Sequence, residues 1–180
     1  MNKISPKNKE EYSNKGFTVV KDVFDPCAID LVLNEINDIF CTQLKYLGLP
    51  FRNYQGSGSL LENMQCLLEN NQNSYLSVAR HIPKLLSIQQ LTASPSIINI
   101  CNSTGLNLIT SPTSPVVHIS SEQLKIKGGS FGVKEHQDWS SIQGGLNSVV
   151  LWVPFMDISS ENYPLEVVAG SHLQGLISGT

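Results

Sequence analysis

Charge is scarce in this chain. Only 15% of its 180 residues are Asp, Glu, Lys or Arg, and the formal net charge is −3. With a pI near 5.8, no strongly basic face exists to neutralise a phosphate backbone or an anionic bilayer, so neither nucleic acid nor a membrane is expected as a partner. Arginine is scarcer still, with Arg52 and Arg80 alone. Long apolar runs are missing: no stretch approaches the roughly 18 apolar residues of a spanning helix. The opening Met1-Asn2-Lys3-Ile4-Ser5-Pro6 also lacks the apolar run of a secretory leader. The four cysteines, at 27, 41, 66 and 101, show neither metal-ligand spacing nor a disulfide framework. They read as free thiols in a cytoplasmic compartment, with Cys27, Cys41 and Cys101 packed into helix cores.

What is present is enough apolar material, 41% of 180 residues, for one domain with a real core. Its patterning changes along the chain. Asp25-Pro26 is a helix start, because Asp25 caps and Pro26 is tolerated at the first helical position. Ile29, Val32, Leu33, Ile36 and Phe40 then recur at helical spacing to about residue 45. Asn70-Asn71-Gln72-Asn73 breaks a following helical stretch, Tyr75 to Leu91 continues it around Pro83, and Ser94-Pro95 opens a short helix ending near Gly105. Phe17 to Val20 reads as a short strand. After Leu106, Pro115 to Ser120, Leu124 to Lys127, Val149 to Phe155 and Leu165 to Val168 are short apolar segments between Gly, Ser, Asn and Pro, as strands of an all-β element are. Lys125, Lys127 and Lys134 read as a solvated strand edge. The predicted fold class is α+β: mainly helical over 1–105, with strands over 106–180. No internal repeat divides the chain.

The chemistry-bearing feature is His136-Gln137-Asp138. In an extended segment positions i and i+2 project to one side, so the imidazole and the carboxylate reach one cation. Two histidines and one carboxylate on one face of an octahedron leave three positions open for cosubstrate and dioxygen. His136 and Asp138 are therefore candidate metal ligands.

Three pieces in order carry a resemblance. They are His136-Gln137-Asp138, the apolar segment ending Leu151-Trp152-Val153-Pro154, and Pro164-Leu165-Glu166-Val167-Val168-Ala169-Gly170-Ser171-His172. The opening Gly16-Phe17-Thr18-Val19-Val20, then Val23-Phe24 and an amphipathic helix, fits as well. Together they resemble the phytanoyl-CoA dioxygenase family of iron(II)- and 2-oxoglutarate-dependent oxygenases, loosely over residues 45–115 and sharply after 130. The resemblance implies that the strands build a double-stranded β-helix of the jelly-roll or cupin kind. It also implies iron(II) on His136 and Asp138, with 2-oxoglutarate and dioxygen as cosubstrates and Gln137 and Trp152 beside the 2-oxoglutarate. The outcome would be hydroxylation of a small organic substrate. Related halogenases carry a small residue where Asp138 stands, which favours hydroxylation here.

The same resemblance places the third ligand, a distal histidine, and an arginine gripping 2-oxoglutarate some tens of residues past Gly-Ser-His. The expectation is accordingly a single, C-terminally truncated domain over 1–180. His172 is expected to fix its turn by hydrogen bonds rather than to bind metal, His118 to be a satisfied core histidine, and His81 to sit at a helix end. Two functions follow: a dioxygenase, or a catalytically inactive binding remnant of one. Activity of the 180-residue chain alone is expected to be absent.

Overall fold

In the computed structural model the described residues are 4–111, 114–126, 135–139, 147–160 and 162–177. The first helix, α1 (Pro6–Lys15), opens on Ser5, whose hydroxyl accepts from the Asn8 amide at 3.1 Å, with Pro6 at its first position. It closes on Gly16 at φ +82°, a left-handed position that glycine takes without steric cost. The chain then doubles back along the helix. The Asn8 side-chain amide donates to the Thr18 hydroxyl at 2.8 Å and to the Val19 carbonyl at 2.9 Å. Residues 17–20, expected as a strand, are neither helix nor strand, and it is this side chain that they meet.

The long helix α2 (Pro26–Tyr46) starts as its sequence dictates. Asp25 accepts from the Cys27 amide at 2.9 Å and Pro26 occupies the first turn. Its apolar stripe buries Val32, Leu33, Ile36, Phe40 and Leu44. Against it pack α3 (Ser57–Asn70), α4 (Gln72–Ala79) and α5 (Leu86–Thr92). The asparagine run is the break between α3 and α4: Asn71 leaves helical geometry and its side chain accepts from the Ser74 amide at 3.0 Å. Pro83 lies in a single 3-10 turn, Ile82–Lys84, and Ser94-Pro95 opens α6 (Pro95–Ser103). Phe40 and Tyr75 meet at the centre with ring centroids 5.8 Å apart, among Leu44, Leu67, Ile82 and Val32.

Two amides are buried in this core. Asn37 and Asn63 are 0% and 2% exposed. Asn63 donates to Asn37 Oδ1 at 2.8 Å and to the Arg52 carbonyl at 2.7 Å, and accepts from the Arg52 amide at 2.9 Å. Asn37 and the Cys41 thiol also donate to the Arg52 carbonyl, at 3.2 Å each. The pair thus pins the α2–α3 connection by both backbone groups of one peptide residue. Desolvation pushes the Cys41 and Cys101 thiols above their ordinary pKa. Cys101 is buried as expected, whereas Cys27 is exposed.

The expected β-element is not formed. Among the described residues there is no β-strand, so the α+β class and the double-stranded β-helix are overturned, and what the structure shows is a helical body. Residues 115–120 do alternate between half-buried and exposed, as a strand's would. However, their inward side chains, Val117 and Ile119, lean on the helices instead of a neighbouring strand. Residues 122–124 form a 3-10 turn that buries Leu124. Val149 to Phe155 and Leu165 to Val168 are neither helix nor strand, the chain bending at 155, and of these Phe155 packs against the core. The physical reason is that a strand is stabilised by its neighbours, not by its own sequence. An unbroken apolar run needs cover on both faces.

Val150, Leu165 and Val168 are accordingly 59%, 55% and 67% exposed. The chain exposes 12696 Å², against about 8,600 Å² for a compact monomer of 19.8 kDa. Limited proteolysis is expected to cut first within 147–168, leaving the helices from Pro26 to Ser103 intact, because local opening there costs little buried area. Equal cleavage of the helices, read by mass spectrometry, would contradict this.

A side-chain contact tethers that segment to the turn at 122–124. Tyr163, at φ +57°, donates its hydroxyl to Glu122, which also pairs with Lys125 at 2.6 Å. Lys125 and then Tyr163 hold the Glu122 carboxyl below its ordinary 4.5. Glu122 in turn raises the Tyr163 hydroxyl above its ordinary 10.0. The sign follows from both shifts: the tether's stabilisation is full between 4.5 and 10.0, lost as pH falls below that range and lost as it rises above it. Hydrogen exchange over 162–168, relative to its intrinsic rate, is expected to accelerate at both ends, and in Tyr163→Phe to be fast throughout with neither pH-dependent step, because the tether is gone.

Candidate metal site

The pair singled out by the sequence is brought together. His136 Nε2 lies 3.1 Å from Asp138 Oδ1, on a non-helical stretch that turns at residue 138. Two donors each about 2.1 Å from one ion, at right angles to each other, stand about 3 Å apart. The separation therefore fits two adjacent corners of an octahedron as well as it fits an ion pair. Both side chains are near half-exposed, at 41% and 45%. The concavity expected around them is not among the described depressions. An open hollow of about 580 Å³ lies instead on the flank of α2, lined by Cys27, Asp30, Leu31, Asn34, Tyr54 and Gly56.

Gln137 is engaged elsewhere. Its Nε2 donates to the Gly175 carbonyl at 2.9 Å, and its Oε1 accepts from the Ile177 amide at 2.9 Å. An amide side chain here does what a neighbouring strand's peptide would do. Sequence reasoning missed this clamp because its partners lie 38 and 40 residues further on. Trp152 sits in the irregular 147–160 segment, 44% exposed.

The remaining histidines are separate. His172 Nε2 lies 3.1 Å from the Ser13 carbonyl in the last turn of α1, while the Gly170 amide donates to the Lys15 carbonyl at 2.8 Å. Both satisfy carbonyls that a helix C-terminus leaves open. Gly16 makes the approach possible, since a Cβ there would collide with the imidazole of His172. The Gly-Ser-His turn is thus latched to α1, a structural role as expected but with a more distant partner. His118 is exposed and not a core residue. His81 stands at the end of α4, its Nδ1 2.7 Å from the Ser77 carbonyl. Among the described residues no third His, Cys, Asp or Glu joins the pair in a metal-sized cluster. Lys125 is paired with Glu122, whereas Lys127 and Lys134 lie outside the described residues.

No family model, curated protein or solved structure matches this chain. No helix among the described residues is long and apolar enough to cross a membrane. The functional reading therefore rests on the residues themselves.

Proposed function

We propose that the protein is a non-haem iron(II)- and 2-oxoglutarate-dependent dioxygenase that hydroxylates a small organic substrate, with His136 and Asp138 as two of the metal's protein ligands. The observation that carries the reading is the 3.1 Å separation of His136 Nε2 and Asp138 Oδ1. A neutral imidazole and a carboxylate suit a divalent ion of intermediate hardness, the carboxylate cancelling part of its charge. The motif order along the chain supports the same assignment, with Trp152 offering an aromatic wall to the cosubstrate. Iron(II) at this position would supply oxidising power by coupling dioxygen to the conversion of 2-oxoglutarate to succinate and carbon dioxide. The chain's own residues hold the ion, orient the cosubstrate and set what reaches it. Four unpaired thiols support a reducing, cytoplasmic setting.

A second reading, a binding remnant without turnover, draws on the absence of a third ligand among the described residues and on the pair's exposure. Anaerobic loading with iron(II) and 2-oxoglutarate, followed by oxygen, separates the two. Succinate formed in proportion to enzyme, and abolished by His136→Ala, establishes the dioxygenase. One iron per chain without succinate establishes the remnant. A chain that takes up no iron refutes both.

A further inference from the structure

The residue between the two candidate ligands makes the most specific long-range contact of this region. Gln137 uses its donor on the Gly175 carbonyl and its acceptor on the Ile177 amide, each at 2.9 Å. This two-point grip fixes both the position and the rotation of the peptide it holds. Gly175 presents its carbonyl from φ +72°, ψ −156°, a conformation that residues with a Cβ rarely adopt. Immediately before it, the 3-10 turn Ser171–Gln174 is itself latched to α1 through the His172 ring at the Ser13 carbonyl and the Gly170 amide on the Lys15 carbonyl. A continuous run of hydrogen bonds and covalent chain therefore leads from the C-terminus of α1, through the Gly-Ser-His turn, to the residue flanked by His136 and Asp138.

We propose that Gln137 is a positioning residue, which by clamping residues 175–177 holds His136 and Asp138 in the mutual geometry that a divalent metal requires. This rests on the metal reading above and deepens it. Neither flanking side chain is locked by burial, since both are near half-exposed. In such a place two ligands on either side of one residue depend on the course of their backbone, and the Gln137 side chain anchors that backbone to residues 175 and 177. A polar partner one step removed from the ligands typically changes metal affinity by about 10–100-fold when removed. Here the partner acts through the main chain and not through a ligand's second nitrogen. The role differs from contact with 2-oxoglutarate, which would need the amide to be turned toward the metal rather than toward Gly175 and Ile177.

The test uses the full chain, manganese(II) as a redox-stable probe, and three variants. Gln137→Ala removes the clamp from one side. Ile177→Pro removes the amide hydrogen that Gln137 accepts, from the other side and without touching the candidate site. The double variant combines them. Manganese affinity is expected to fall about 10–100-fold in each single variant, and no further in the double, because both break one clamp. The unfolding transition of the helical body should stay in place, and the Ile177 amide should lose its exchange protection in Gln137→Ala. If Ile177→Pro binds manganese as the parent does while Gln137→Ala is weakened, Gln137 acts directly on the ligand and the positioning role is wrong. If the parent binds and all variants match it, the role is likewise wrong while the metal site stands. A parent chain that binds no manganese removes the metal site and the positioning role together.

Discussion

Replacing His136 with alanine is expected to abolish measurable binding of iron(II), and with it any succinate formation. The imidazole is one of two protein donors brought within 3.1 Å of each other. Losing an inner ligand should exceed the roughly 10–100-fold cost of losing an outer partner. Asp138→Ala should be at least as severe, because the carboxylate also offsets charge on the ion. Neither substitution should unfold the protein. The pair is near half-exposed, and exposed ion pairs contribute about 0–1 kcal/mol. Metal affinity by titration calorimetry and unfolding by urea, measured on the same preparations, read the two effects apart. Variants that bind iron like the parent would reduce the His136–Asp138 contact to a surface ion pair.

How much of this was legible in the sequence depends on the reach of each signal. Helix starts are written within four residues, as with Asp25 on the Cys27 amide and Asn71 on the Ser74 amide, so α2 and the α3–α4 break appear where the pattern places them. The approach of His136 to Asp138 is equally local. The strand region is a different matter, because period-two alternation says only that one face is covered. Residues 115–120 show that alternation, yet helices cover Val117 and Ile119. Nothing in Val149 to Phe155 specifies a pairing partner, and none is formed among the described residues. The Gln137 clamp and the His172 latch are side-chain-to-backbone contacts spanning 38 to 159 residues, without periodicity to announce them. One missed feature had a readable trace. Asn37 interrupts the apolar stripe between Leu33 and Phe40, and Asn63 sits between Leu60 and Leu67, where a polar side chain must find a partner.

That pair sets the largest expected loss of stability. Asn63→Ala is expected to cost about 2–4 kcal/mol, from the roughly 1–3 kcal/mol typical of each buried polar group stripped of its partner. The substitution deprives Asn37 Oδ1 of its 2.8 Å donor and the Arg52 amide of its 2.9 Å acceptor. The Arg52 carbonyl fares better, because Asn37 and Cys41 still donate to it at 3.2 Å each. Asn37→Ala should be milder for that reason: Asn63 retains both of its bonds to Arg52. The double variant should lose less than the sum of the singles, since the Asn63–Asn37 bond is broken only once. Against a total stability of about 5–15 kcal/mol, the Asn63 loss is a large fraction. It should appear in urea unfolding as a lower midpoint at unchanged slope. Asn63→Ala costing less than about 0.5 kcal/mol would mean that water replaces the amide and that the α2–α3 connection is held by its apolar contacts alone.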